Sequence, residues 1–150
     1  MPRKYGLEGS HNVATETVLA MIGSASAKGK INYVSFISEA AGADANVIAS
    51  VRKADGTIAP SGGSAVTPAK FDSGDAAAVI TGHEGATTDP TVYGIPLLNI
   101  NLYQKHMFQW FGEEGGEIMN QKATNACVGL RIESFGSGTP ECSAVFHFYE

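Results

Sequence analysis

The sequence is poor in charge, in cysteine and in long apolar runs. Charged residues make up 17% of the chain, against roughly 25% in an ordinary soluble protein. The basic residues are the minority, 10 Lys and Arg against 15 Asp and Glu, for a formal net charge of −5. General affinity for DNA or RNA needs a surplus of cations to displace counterions, so nucleic acid is excluded as a general partner. The densest apolar stretches, such as Val18 to Ile22, fall far short of the about 20 residues of a membrane helix. The basic start Met1-Pro2-Arg3-Lys4 runs into Tyr5-Gly6-Leu7-Glu8 rather than an apolar core, so neither a membrane span nor a secretory signal is expected. Cysteine occurs only at Cys127 and Cys142, whereas a disulfide framework uses four or more. Two reduced thiols at packed positions are expected, with a bridge between neighbouring strands as the alternative.

Signatures of catalysis and of metal binding are also missing. His11, His83, His106 and His147 are scattered, with no His-x-His or close Cys/His pair, so they read as surface or interface histidines. Asp72-Ser73-Gly74-Asp75 begins like a calcium loop but lacks its later acidic ligands and closing Glu, so Asp72 and Asp75 read as turn and cap residues. Glu113, Glu114 and Glu117 flank a Gly-Gly turn, where carboxylates stay solvated and ionised. No nucleophile elbow, phosphate-binding loop or dinucleotide fingerprint occurs. An enzyme, a cofactor or a metal therefore has no constellation behind it.

What is present is a chain of 150 residues, 43% apolar, with 18 Gly and 6 Pro. That length buries roughly 68–70% of the unfolded chain's surface without staples. Lys30 to Ser38 and Asn46 to Lys53 read as strands, and the pair as a hairpin closed after Ala54-Asp55-Gly56. Glu39 to Ala45 is a loop or a helical turn. Pro60 to Ser64 is a loop, and Pro68 confines Ala65 to Phe71 to an edge. Asp75 to Ile80 has helix propensity behind a capping Asp72, Ser73 or Asp75, and Gly82 to Pro90 reads as loop. In Pro96 to Tyr103 the apolar residues Leu98, Ile100 and Leu102 alternate with Asn99, Asn101 and Tyr103. After the polar break Gln104-Lys105-His106 come Met107 to Phe111, Ala126 to Glu133 and Ser143 to Tyr149, the last with Phe146 and Phe148 on one face and His147 opposite. Ser134 to Pro140 is a Gly-rich loop. Many short strands without a crossover helix predict an all-β antiparallel β-sandwich, jelly-roll-like, with at most short helical turns. Residues 11–150 form its single domain, and residues 1–10 are an N-terminal arm or an edge strand.

Met107 to Phe111 is apolar on both faces: Phe108 and Trp110 share one, Met107, Gln109 and Phe111 the other. One face fills the core. The other awaits the protein's own loop, another subunit or a saccharide stacked on an aromatic ring.

Several stretches resemble the jelly-roll decoration (cement) proteins that sit as trimers on the heads of tailed bacteriophages. They are Arg3-Lys4-Tyr5-Gly6-Leu7-Glu8, Thr67-Pro68-Ala69-Lys70-Phe71-Asp72, Pro96-Leu97-Leu98 through the aromatic strand to Gly115-Gly116-Glu117, then Ala123-Thr124-Asn125 and Val128-Gly129-Leu130. The resemblance implies a homotrimer, made in the host cytoplasm, that binds the major capsid protein on the outer surface of the virion and stabilises the head. Arg3, Lys4 and Tyr5 become capsid-interface candidates on an arm that orders on docking. Tyr103, Phe108, Trp110 and Phe111 become trimer-interface candidates. A tail or baseplate component and a carbohydrate-binding module that stacks sugar on Tyr103 or Trp110 are the alternatives.

Overall fold

The computed structural model describes residues 1–12, 16–39, 46–54, 59–90, 92–103, 106–136 and 141–150. Among them there is no helix, and therefore none long and apolar enough to cross a membrane. Twelve strands are described: β1 (Lys4–Asn12), β2 (Thr17–Ile22), β3 (Lys30–Glu39), β4 (Asn46–Ala54), β5 (Ser64–Val66), β6 (Ala69–Lys70), β7 (Thr81–Glu84), β8 (Pro96–Tyr103), β9 (Met107–Phe111), β10 (Ile118–Met119), β11 (Cys127–Phe135) and β12 (Glu141–Tyr149). The expectations for residues 40–45, 55–58, 104–105 and 137–140 lie outside the described residues.

Two antiparallel sheets stack face to face. The first runs β10-β3-β12-β1-β6, with β9 sharing the free side of β3 with β10; the second runs β5-β7-β2-β11-β4-β8. Without β5, β6, β7 and β10, the sheets read β1-β12-β3-β9 and β2-β11-β4-β8. The first strand pairs with the last, and most connections cross between sheets. That nesting is the jelly roll, so the fold is the all-β sandwich that the strand pattern predicts. The core lies between the sheets, with Leu7, Val34, Phe36, Phe146 and Phe148 facing Leu19, Met21, Val51, Leu130 and Ile132.

Several local expectations are corrected. β3 and β4 do not form a hairpin; they lie in opposite sheets. Each has one apolar side, and those sides meet across the core, an outcome that alternation cannot distinguish from pairing. Asp75 to Ile80 is not helical: Glu150 Oε1 accepts from the amides of Val79 (2.7 Å) and Ile80 (2.5 Å), and the Tyr5 hydroxyl donates to Ala76 O (3.0 Å). Six residues gain little from helix formation, and these tertiary bonds hold the segment irregular. The expected loop from Gly82 begins inside β7. Residues 65–71 cross from one sheet edge to the other, with Pro68 between β5 and β6.

The N-terminus is not a free arm. β1 pairs with β12 at all nine positions from Lys4 to Asn12, and Arg3 exchanges backbone bonds with Glu150. Only Tyr5 and Gly6 pair with β6 on the other side, so β1 is close to an edge strand and fully part of the sandwich. Cys127 and Cys142 are both buried and are not joined by a disulfide. They begin β11 and β12, which lie in different sheets, and burial pushes the Cys142 thiol up to about 11.

Candidate interaction face

The outer face of the first sheet carries a row of rings. Cross-strand register aligns Gly6 with His147, His147 with Tyr33, and Tyr33 with Phe111. Phe71, just after β6, lies over the space left by Gly6, where an added Cβ would stand 3.4 Å from its ring. The ring centroids are 4.9 Å apart for Phe71 and His147, 4.6 Å for His147 and Tyr33, and 5.0 Å for Tyr33 and Phe111. The row therefore spans the sheet from β6 to β9.

Tyr33 joins it because of a bulge. Phe148 pairs with Ile31 and His147 with Tyr33, so Asn32 is the extra residue. Ile31 and Val34 thereby both point into the core while Tyr33 turns outward. Its hydroxyl accepts from Gln109 Nε2 at 2.9 Å. At the two ends of the row Phe71 is 56% and Phe111 69% exposed, and Met107 on the same strand as Phe111 is 57% exposed. Around Phe71 a groove of about 500 Å³ is lined by Gly6, Val66, Ala69, Lys70, Val145 and His147. Lys4 Nζ sits 4.8 Å above the Phe71 ring. Burial, with the Lys4 charge nearby, holds His147 below the usual histidine range.

The outer face of the second sheet is covered by the chain itself over Thr17, Gly129 and Arg131, while Ile48 on β4 and Leu97 and Tyr103 on β8 stay exposed. Asp89, in the connection from β7 to β8, accepts from Thr17 N (2.8 Å), from Thr17 Oγ1 (2.5 Å) and from Arg131 Nε. Arg131 Nη1 also donates to Glu133 Oε2 at 2.6 Å, and Glu133 takes further bonds from Ser50 and from Arg52 Nε (2.7 Å). Arg52 Nη1 reaches Gly94 O at 2.9 Å. Tyr93 bonds Thr17 Oγ1 at 2.6 Å and lies on Gly129, where a Cβ would collide with the phenol oxygen. Burial pushes the Tyr93 phenol far up. Burial would raise Glu133, but the bonds from Ser50 and Arg52 and the charge of Arg131 outweigh it and hold Glu133 below the usual carboxylate range. Burial would lower Arg131, but Asp89 and Glu133 outweigh it and raise it. Each charge here already has its partner, so the cluster is a clamp on a loop rather than a poised acid and base.

The residues singled out from sequence separate. Tyr5 is fully buried and stacks on Phe148, so it is a core residue and not a capsid contact. Arg3 lies 3.8 Å from Asp75, and Lys4 is half-buried at the row. Phe108 and Trp110 pack inward, paired in register with Phe36 and Val34. That takes both rings off the outer face of the sheet, although each stays partly exposed on the edge strand. Phe111 and, on β8, Tyr103 (70% exposed) remain at the surface. No loop among the described residues covers Met107 and Phe111. His11 lies 3.2 Å from Glu16 and His83 bonds Gly62 O. Among the described residues no group of three His, Cys, Asp or Glu converges as a metal site. Phe71, His147 and Tyr33 escaped the sequence reading as a set, although His147's position opposite Phe146 and Phe148 marked it as outward. No family model, curated protein or solved structure matches this chain.

Proposed function

We propose that the protein is a structural, non-catalytic subunit: a decoration protein on the head of a tailed bacteriophage, a homotrimer bound to the major capsid protein on the outer virion surface. The observation that carries the reading is the uncovered row of rings, Phe71–His147–Tyr33–Phe111, on the outer face of the first sheet. Exposed apolar surface on one face of a sandwich is what a subunit buries on assembly. Arg3 is the capsid-interface candidate that remains, while Lys4, at one end of the row, belongs with the contact between copies. Phe111 and Tyr103 are the remaining candidates for trimer contact. A trimer that bridges several capsid subunits holds each by the added effect of its contacts. Sugar stacking along this row is disfavoured because its rings are not coplanar, being tilted by 52° between Tyr33 and Phe111 and by 76° between Phe71 and His147.

Two measurements test this reading. Light scattering on the purified protein should give three times 15.6 kDa. Immunogold labelling of intact particles from cells that carry the gene should decorate heads. Label confined to tails would move the protein to the tail or baseplate, and unlabelled particles would remove it from the virion.

A further inference from the structure

We infer that the protein self-associates head to tail, with Phe111 and the acidic turn of one copy seated in the Phe71–Lys4 groove of the next. The inference rests on the self-association proposed above and names its geometry. The occupant of each surface is a second copy of this chain.

The two edges of the first sheet are built differently. β9 pairs only with β3, and its sequence Met-Phe-Gln-Trp-Phe carries no Lys, Pro or bulge to guard the open side. Natural sheets protect such an edge or cover it. The far edge is guarded, because β6 has two residues, follows Pro68 and includes Lys70. What that edge offers is the groove beside Phe71. One edge therefore projects apolar side chains and the other receives them.

Charge and register agree with this assignment. After Phe111 the chain turns through the exposed Glu113 and Glu114, with Glu117 close behind. Lys70 and Glu8 line the groove, and Lys4 stands over the Phe71 ring beside it. Phe111 stands in the row of Gly6, His147 and Tyr33, and the Phe71 ring reaches over the same row from the position opposite Lys4. The next row runs Lys4, Tyr149, Lys30 and Met119. Glu114 and Glu117 line a depression with Lys30, Met119 and Tyr149, so the acidic turn sits level with Lys4. A neighbour beside this copy, turned by roughly 120° about an axis parallel to the strands so that three copies close a ring, keeps the rows level and brings ring to groove and carboxylates to Lys4 together. Stacking the faces directly would instead bury the polar groups of Glu8 and Gln109, which flank Val145 and Ser35 in the row on the other side.

A head-to-tail contact joins two different patches, which makes it testable by complementation. Phe111→Asp destroys the projecting patch and Phe71→Asp the receiving one. Both side chains are exposed, so both variants should fold, as circular dichroism and thermal melting will verify. At tens of micromolar the parent protein should scatter as three protomers, and each variant alone as one. An equimolar mixture of the variants keeps one intact contact, too weak to hold a pair on its own, so brief carboxylate–amine cross-linking should trap a dimer there that neither variant gives alone. A trimer that persists in Phe111→Asp overturns the inference and leaves the trimer standing. A parent mass of two protomers, or no complementation in the mixture, also overturns it. A monomeric parent overturns both the inference and the trimer, while labelling of particles judges the virion location separately.

Discussion

Removing the Asp89 carboxylate should release the loop that covers part of the second sheet. In Asp89→Ala three donors lose their acceptor: Thr17 N, Thr17 Oγ1 and Arg131 Nε. Two keep another partner, because Thr17 Oγ1 still meets Tyr93 and Arg131 still meets Glu133. The Thr17 amide keeps none of those and belongs to a fully buried residue. An orphaned buried donor costs about 1–3 kcal/mol, and a lost hydrogen bond to a charged group about 1.5–3 kcal/mol. The expected loss is therefore about 3–4 kcal/mol, or a fall in Tm of about 10 °C for a domain of this size. Asp89→Asn keeps one carbonyl oxygen for Thr17 and loses the charge on Arg131, so it should cost about half as much. Urea unfolding of the three proteins measures the difference, and amide exchange at Thr17 reports whether the loop has opened locally. An Ala variant that loses less than about 1 kcal/mol, or an Asn variant as damaged as Ala, would refute the clamp.

Other consequences follow from the same geometry. Gly129→Ala places a methyl group on the Tyr93 phenol and should destabilise by about 1–3 kcal/mol; a neutral melting curve would mean that the loop does not rest there. Glu133 is held below the ordinary carboxylate value of 4.5, so its contribution is present above that pH and is lost as pH falls through its lower folded value. Stability measured against pH should flatten in that acid range in Glu133→Gln. His147 is likewise held below its ordinary 6.5. The unfolded chain binds the proton first, so stability should fall as pH drops below about 6.5, and His147→Gln should remove that slope. A thiol reagent should find neither buried cysteine in the native protein and both after unfolding.

Alternation along single strands was legible because side-chain direction is a local property. Leu98, Ile100 and Leu102 point inward, and Asn99, Asn101 and Tyr103 outward, as their spacing indicates. Pro68 restricted its neighbours to edges for an equally local reason, the missing amide. Partner choice was not legible. Nothing within residues 30–54 says that β3 meets β12 and β9 while β4 meets β11 and β8. Tyr33 was hidden by one bulge, because strict alternation from Ile31 turns it inward. Phe108 and Trp110 against Met107 and Phe111 was a choice between two apolar faces, decided only by the strand's place opposite Val34 and Phe36. The clamp joins Thr17, Ser50, Asp89 and Arg131, residues that are distant in sequence and share no motif.

The two outer faces account for the proposed assembly in physical terms. The second sheet spends its polar groups internally: Arg52, Arg131, Asp89 and Glu133 are matched to one another, so that face offers a partner few free charges. The first sheet keeps its apolar groups exposed, and fully burying a Phe or Met side chain is worth about 1.5–3 kcal/mol. One contact that buried Phe111, Met107 and part of Phe71 would supply several kcal/mol, close to the low end of the about 4–15 kcal/mol that association costs in lost freedom. A lone head-to-tail pair is therefore weak. A closed ring of three has three such contacts but loses independent motion only twice, so the contact that closes it is gained without that cost. The same sum predicts steep cooperativity: dilution should take the trimer to monomers with little dimer between, and a well-populated dimer on dilution would mean that a single contact is far stronger than these side chains provide.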